Sequence, residues 1–161
     1  MRVVAGVVTV CALVAGWCAW TSDERAIRSR LTELAAAASS APADTDLSTV
    51  TRAATLARGL TPDVRVSFGA GAPEVNGRDA VSALASQIGR TQGSLEIELS
   101  GIDVSIGPDG REAEAVTVVR VRGGQAADRR FDGQEVRFAL TRTDGTWLVG
   151  RIEPVQVLAK P

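Results

Sequence analysis

The chain has 161 residues, enough for one domain with a proper core and too few for two ordinary ones. Hydrophobic residues at 45% exclude a disordered chain, and 18 basic against 19 acidic residues remove any whole-chain case for nucleic-acid binding. With no His and no Tyr, His-based triads, His-ligated metals and tyrosine oxyanion donors are excluded as well.

Val3 to Trp20 form 18 consecutive residues without a charge. As a helix they would span roughly 27 Å, close to a hydrocarbon core. Arg2 precedes the run, and Asp23 and Glu24 follow it. Positive-inside bias then puts the N-terminus in the cytoplasm and the rest of the chain outside a bacterial inner membrane, with Trp17 and Trp20 in the aromatic belt. A cleaved signal peptide is the alternative, but Gly16-Trp17-Cys18-Ala19-Trp20 sets bulky residues beside every small one. A lipoprotein site needs a small residue before the cysteine, whereas Cys18 follows Trp17 and Cys11 follows Val10. The two cysteines would stand about 10 Å apart along a helix, too far to bridge. Everything after Trp20 lacks cysteine, so the folded part has neither disulfide nor thiol nucleophile.

Thr21-Ser22-Asp23-Glu24 reads as a capping box. Ile27, Leu31, Leu34, Ala35 and Ala38 then make one apolar helical face, with Arg25, Arg28, Arg30 and Glu33 mostly opposite. Residues 39–44 read as a linker, and a second helix is expected over Leu47–Arg58, capped by Asp46 and stopped by Gly59.

Residues 63–69 alternate as a half-buried strand, with Val64, Val66 and Phe68 inward. Glu74-Val75 suits a very short return strand, and Asn76-Gly77-Arg78-Asp79 opens a third helix carrying Val81, Leu84, Ala85 and Ile88 on one face. Next, Leu95, Ile97 and Leu99 alternate on odd positions, but Ile102, Val104 and Ile106 alternate on even ones. A flat strand cannot change parity and keep one face buried, so a β-bulge is expected at Ser100-Gly101. Strands over 113–121, around Val136, Phe138 and Leu140, and over 146–152 follow, with turns at Gly107-Pro108-Asp109-Gly110 and Asp144-Gly145 and a long loop over 123–133.

Helix, helix, strand, short hairpin, helix and four antiparallel strands resembles the nuclear transport factor 2-like superfamily, which contains SnoaL-like polyketide cyclases and ketosteroid isomerases. The resemblance covers roughly residues 22–157. It is carried by Asp23-Glu24-Arg25-Ala26-Ile27, by Asn76-Gly77-Arg78-Asp79-Ala80-Val81, and by the ending from Arg142-Thr143-Asp144-Gly145-Thr146-Trp147 to Ile152. It implies an α+β cone: three helices packed on a strongly curved, mostly antiparallel sheet around a pocket. One transmembrane helix would precede it, giving an anchor over residues 1–21 and a domain over 22–161.

Fold does not settle function. In the isomerases of that superfamily a base sits near the position of Asp63, but here Asp63 lies in a Thr-Pro-Asp turn. Asp103 alternates away from Ile102 and Val104. Glu96 and Glu98 against Arg120 and Arg122 suit the outer sheet face, joined by cross-strand ion pairs. Arg129-Arg130 suits an acidic partner or phosphate. No Gly-rich phosphate loop or metal-ligand spacing appears, so no catalytic set, cofactor or metal is assigned. Leu31, Phe68, Phe138 and Trp147 are the candidate pocket lining, each on the apolar side of its own element. The expectation is a non-catalytic, membrane-anchored envelope module that binds a small apolar ligand or an envelope protein. A structural subunit of a secretion or transport assembly and a cyclase or isomerase are the alternatives, and a homodimer stays open.

Overall fold

The computed structural model describes residues 21–40, 45–69, 71–92, 94–123 and 133–155. Three helices pack on one six-stranded sheet. In chain order these are α1 (residues 21–38), α2 (Asp46–Gly59), β1 (Leu60–Val66), β2 (Val75–Asn76), α3 (Arg78–Gln92), β3 (Leu95–Ile106), β4 (Glu112–Gly123), β5 (Gln134–Thr143) and β6 (Thr146–Pro154). The sheet order is β2-β1-β6-β5-β4-β3, antiparallel except for the β1–β6 pair. The predicted order of elements is therefore the observed one. Among the described residues no helix is long and apolar enough to cross a membrane. The uncharged run, both cysteines and Arg129-Arg130 lie outside the described residues.

Local details differ from the sequence reading. Thr21 is already helical, so the described part of α1 shows no helix start after it. Asp23 and Glu24 find other partners: Asp23 pairs with Arg142 at 3.0 Å, and Glu24 pairs with Arg28 one turn later at 2.6 Å. α2 is capped by Thr45, whose hydroxyl accepts the Ser48 N–H at 3.3 Å, one residue before the expected Asp46. Asp46 instead adds negative charge to the first turn, where the helix dipole favours it. β1 starts at Leu60 and ends at Val66, leaving Phe68 beyond the strand.

The bulge in β3 is present. Ser100 pairs with Val118 and Asp103 with Val116, so Gly101 and Ile102 together face Thr117. Gly101 takes the left-handed conformation (φ 66°) that lets the strand absorb the extra residue. Leu95, Ile97 and Leu99 before it, and Ile102, Val104 and Ile106 after it, are the less exposed positions of the strand.

A second bulge lies in β6. Ala139 pairs with Arg151 but Leu140 with Val149, which leaves Gly150 as the extra residue. Inward positions on β6 accordingly change from Trp147 and Val149 to Ile152. At the β5–β6 turn Asp144 and Gly145 both have positive φ, as a two-residue hairpin of type I′ requires.

On the outer face Glu96 stands opposite Arg122 and Glu98 opposite Arg120. Arg122 reaches both glutamates, at 3.8 and 3.3 Å, and Arg137 bridges Glu114 and Glu153 at 3.1 and 3.7 Å. These pairs are solvated and contribute little stability; their consequence is a polar outer surface.

Candidate functional site

The inner face of the sheet carries mostly apolar side chains, with Thr117 of β4 among them, and it is filled at one end and hollow at the other. At the solid end Ile27 of α1, Val64 of β1 and Val149 of β6 are fully buried. Ala113 pairs across β4–β5 with Leu140, and Ala115 with Phe138, so small side chains alternate with large ones. The first turns of α1 are fastened to this end. Arg142 on β5 pairs with the Asp23 carboxylate and lies over the Trp147 ring at 5.7 Å, while Trp147 Nε1 donates to Asp23 Oδ1 at 3.5 Å.

Toward the other end the helices stand off the sheet and leave a cavity of about 340 Å³. α1 contributes Leu31, Leu34, Ala35 and Ala38, α2 contributes Leu56, and α3 contributes Val81, Leu84, Ala85 and Ile88. The sheet contributes Leu95, Ile97 and Leu99 from β3, all before the bulge, and Ile152 and Pro154 from β6, both after its bulge. Each bulge therefore marks, on its own strand, the step from solid core to cavity wall. Val119 and Val121 of β4 and Val136 and Phe138 of β5 complete the floor.

The wall is strongly apolar. Among the described residues no Asp, Glu, Lys or Arg lines the cavity, and its polar members are Ser67 and Gln134. Such a surface can desolvate and hold an apolar molecule. General acid–base catalysis needs a titratable group within hydrogen-bond reach of the substrate, and this wall supplies none among the described residues.

Of the four lining candidates read from the sequence, the structure brings three together. Leu31 is a buried wall residue, Phe138 forms part of the floor, and Phe68, 54% exposed, stands at the rim. Trp147 does not join them: it is 3% exposed at the solid end, with its indole turned to Asp23. Alternation fixed its face correctly, but the second bulge separates it from the cavity portion of β6. The signal for that bulge was readable: Trp147 and Val149 are odd, Ile152 is even, and a glycine lies between them. Asp63 and Asp103 are both exposed, so the structure brings neither to the cavity. Among the described residues no group of three potential metal ligands occurs.

The fold can be compared with known proteins. A family model described as a SnoaL-like domain matches residues 21–153. A nuclear transport factor 2-like protein with a cystatin-like fold from Novosphingobium aromaticivorans superposes with a TM-score of 0.70 at 18% identity, covering 91% of this chain and 90% of its own. A candidate scytalone dehydratase from the same organism gives 0.63 at 18% identity, covering 84% and 86%. A candidate aromatic ring hydroxylase, again from that organism, gives 0.62 at 18% identity, covering 86% and 92%. At such identity these likenesses establish the fold alone. No curated protein sequence matches the chain.

Proposed function

The chain belongs to the SnoaL-like domain family, and we propose that it is a non-catalytic binding module, holding a small apolar ligand in its cavity on the outer side of a bacterial inner membrane. The observation that carries the reading is the wall of the cavity. About 340 Å³ of space is lined by three helices and five strands, with no ionisable side chain among the described lining residues. A structural subunit would fill its interior with its own side chains, and an enzyme of the cyclase or isomerase kind would aim a carboxylate into it. Small-molecule sites fall at about 300–1,000 Å³, and this cavity is within that range.

The membrane half of the proposal rests on the sequence. Residues 3–20 are uncharged, Arg2 precedes them, and Asp23 and Glu24 follow. The domain would then be tethered at its solid end, where Asp23 is fastened, with residues 1–21 as the anchor and 22–161 as the domain.

Two measurements test the proposal. The full chain in lipid nanodiscs is titrated with the neutral fluorophore N-phenyl-1-naphthylamine, beside a Val119→Trp variant whose indole occupies the cavity. Saturable uptake by the wild type, lost in a variant that melts cooperatively, is expected; equal uptake by both would refute binding in the cavity. For the anchor, the chain should stay with the membrane through an alkaline wash, and a reporter fused after Pro161 should read as exported. A soluble product starting near Ala19 would overturn the anchor.

A further inference from the structure

The two polar residues of the cavity wall are not scattered over it. Ser67 follows β1 and donates its N–H to Ile152 O at 2.9 Å, which sets it beside the end of β6. Gln134 opens β5 two residues before Val136, and Val136 pairs with Pro154, the last residue of β6. Sheet register therefore brings both polar groups to the same end of the cavity, next to the exposed rim residue Phe68. The wall away from that rim is hydrocarbon.

Their bonding capacity is open. The Ser67 hydroxyl accepts the Gly69 N–H at 3.4 Å and keeps its own hydrogen to donate. The Gln134 carboxamide carries both donor and acceptor, and among the described residues neither has a partner.

We propose that the cavity takes a neutral amphiphile, with its apolar body inward and a hydroxyl or carbonyl group at the rim against Gln134 and Ser67. This rests on the cavity-binding reading above and specifies its ligand. A pure hydrocarbon would cover the amide and the hydroxyl without pairing them, which costs free energy. A charged head group would lose water at the rim with no opposite charge among the described wall residues to replace it. At about 340 Å³ the cavity lies at the small end of ligand sites, so a diacyl lipid is too large and a single short chain or ring system fits.

The test uses the full chain in nanodiscs and displacement of N-phenyl-1-naphthylamine, with Val119→Trp supplying the bilayer background. The competitors are octane, octan-1-ol, octanoate and octylammonium, which share one chain length. The wild type is expected to bind octan-1-ol more tightly than either charged ligand. Gln134→Leu should weaken octan-1-ol about fivefold, the worth of one hydrogen bond, and leave octane as tight or tighter. Tighter binding of octanoate or octylammonium, or a Gln134→Leu variant that treats octan-1-ol as the wild type does, overturns the amphiphile. In those cases the fluorophore still binds saturably and the cavity reading stands. If the fluorophore itself shows no saturable binding, both fall together.

Discussion

Thr117 donates its hydroxyl to the Ser100 carbonyl at 2.9 Å, joining β4 to β3 where the bulge interrupts the ladder. Thr117 is 1% exposed and is, among the described residues, the buried polar side chain. A bulge frees backbone groups that the ladder would otherwise satisfy, and a buried carbonyl left bare is costly. The hydroxyl adds a side-chain bond across that break. On the other side Arg28 of α1 donates from Nε to Ile102 O at 3.3 Å, so the bulged residues are held from both neighbours.

Replacement of Thr117 by Val keeps the side-chain outline and removes the donor. The half-buried Ser100 carbonyl then loses its side-chain partner, at a cost of about 0.5–1.5 kcal/mol. Thr117→Ser should recover most of that loss. Urea denaturation of the two variants separates them; equal stability of Val and wild type would show that the hydroxyl is not needed there.

Gly101→Val tests the backbone of the same bulge. Its φ of 66° is disfavoured for a β-branched residue, while a Cβ there meets no atom within 4 Å. The loss is therefore conformational and should amount to about 1–3 kcal/mol. Gly101→Asn, which tolerates this region, should cost clearly less. Equal costs for the two substitutions would point away from backbone strain.

This bulge was legible in the sequence because Leu99 and Ile102 break parity across a glycine. Helix and strand order, the outer charge ladder and the inward faces were legible for the same reason: periodicity reports which way a side chain points. It does not report depth along a strand. Leu31 and Ile27 share one helical face, yet Leu31 lines the cavity and Ile27 does not. Trp147 and Ile152 both face inward on β6 and fall on opposite sides of Gly150. The difference arises from how far the helices stand off the sheet, a property of several elements packed together. Gln134 escaped notice because it falls between the loop over 123–133 and the alternating run that begins at Val136.

Asp23 should behave as a fastening of α1 rather than as a solvated helix residue. Its carboxylate serves Arg142 and the Trp147 indole together, and its side chain is 19% exposed. Asp23→Ala should cost about 1–2 kcal/mol, less than a fully buried pair because Arg142 is partly solvated. Asp23→Asn keeps an acceptor for the indole and should cost less. The remaining gap between Asn and wild type should narrow in high salt, which screens the charge but spares the neutral bond. A gap that is independent of salt would assign the whole effect to the hydrogen bond.

Gly59→Ala sets two effects against each other at the cavity wall. A Cβ there would stand 2.5 Å from Leu34 Cδ2 and 3.0 Å from Leu34 Cγ, so Leu34 must move. Leu34 is 7% exposed and lines the cavity, and empty space beside it gives its isobutyl group somewhere to turn. Gly59 ends α2 without a left-handed φ, so alanine fits the backbone and stabilises by about 0.4–1 kcal/mol through the unfolded chain. Displacement of Leu34 costs about the same as an off-rotamer side chain, roughly 0.5–1.5 kcal/mol. The two nearly cancel, and the melting temperature should change little. Ligand capacity should not be spared, because the displaced Leu34 takes up part of the cavity: uptake of N-phenyl-1-naphthylamine should fall while stability holds. A variant that loses several kcal/mol would show that Leu34 is locked against its neighbours. Unchanged stability with undiminished uptake would show that it turns away from the cavity rather than into it.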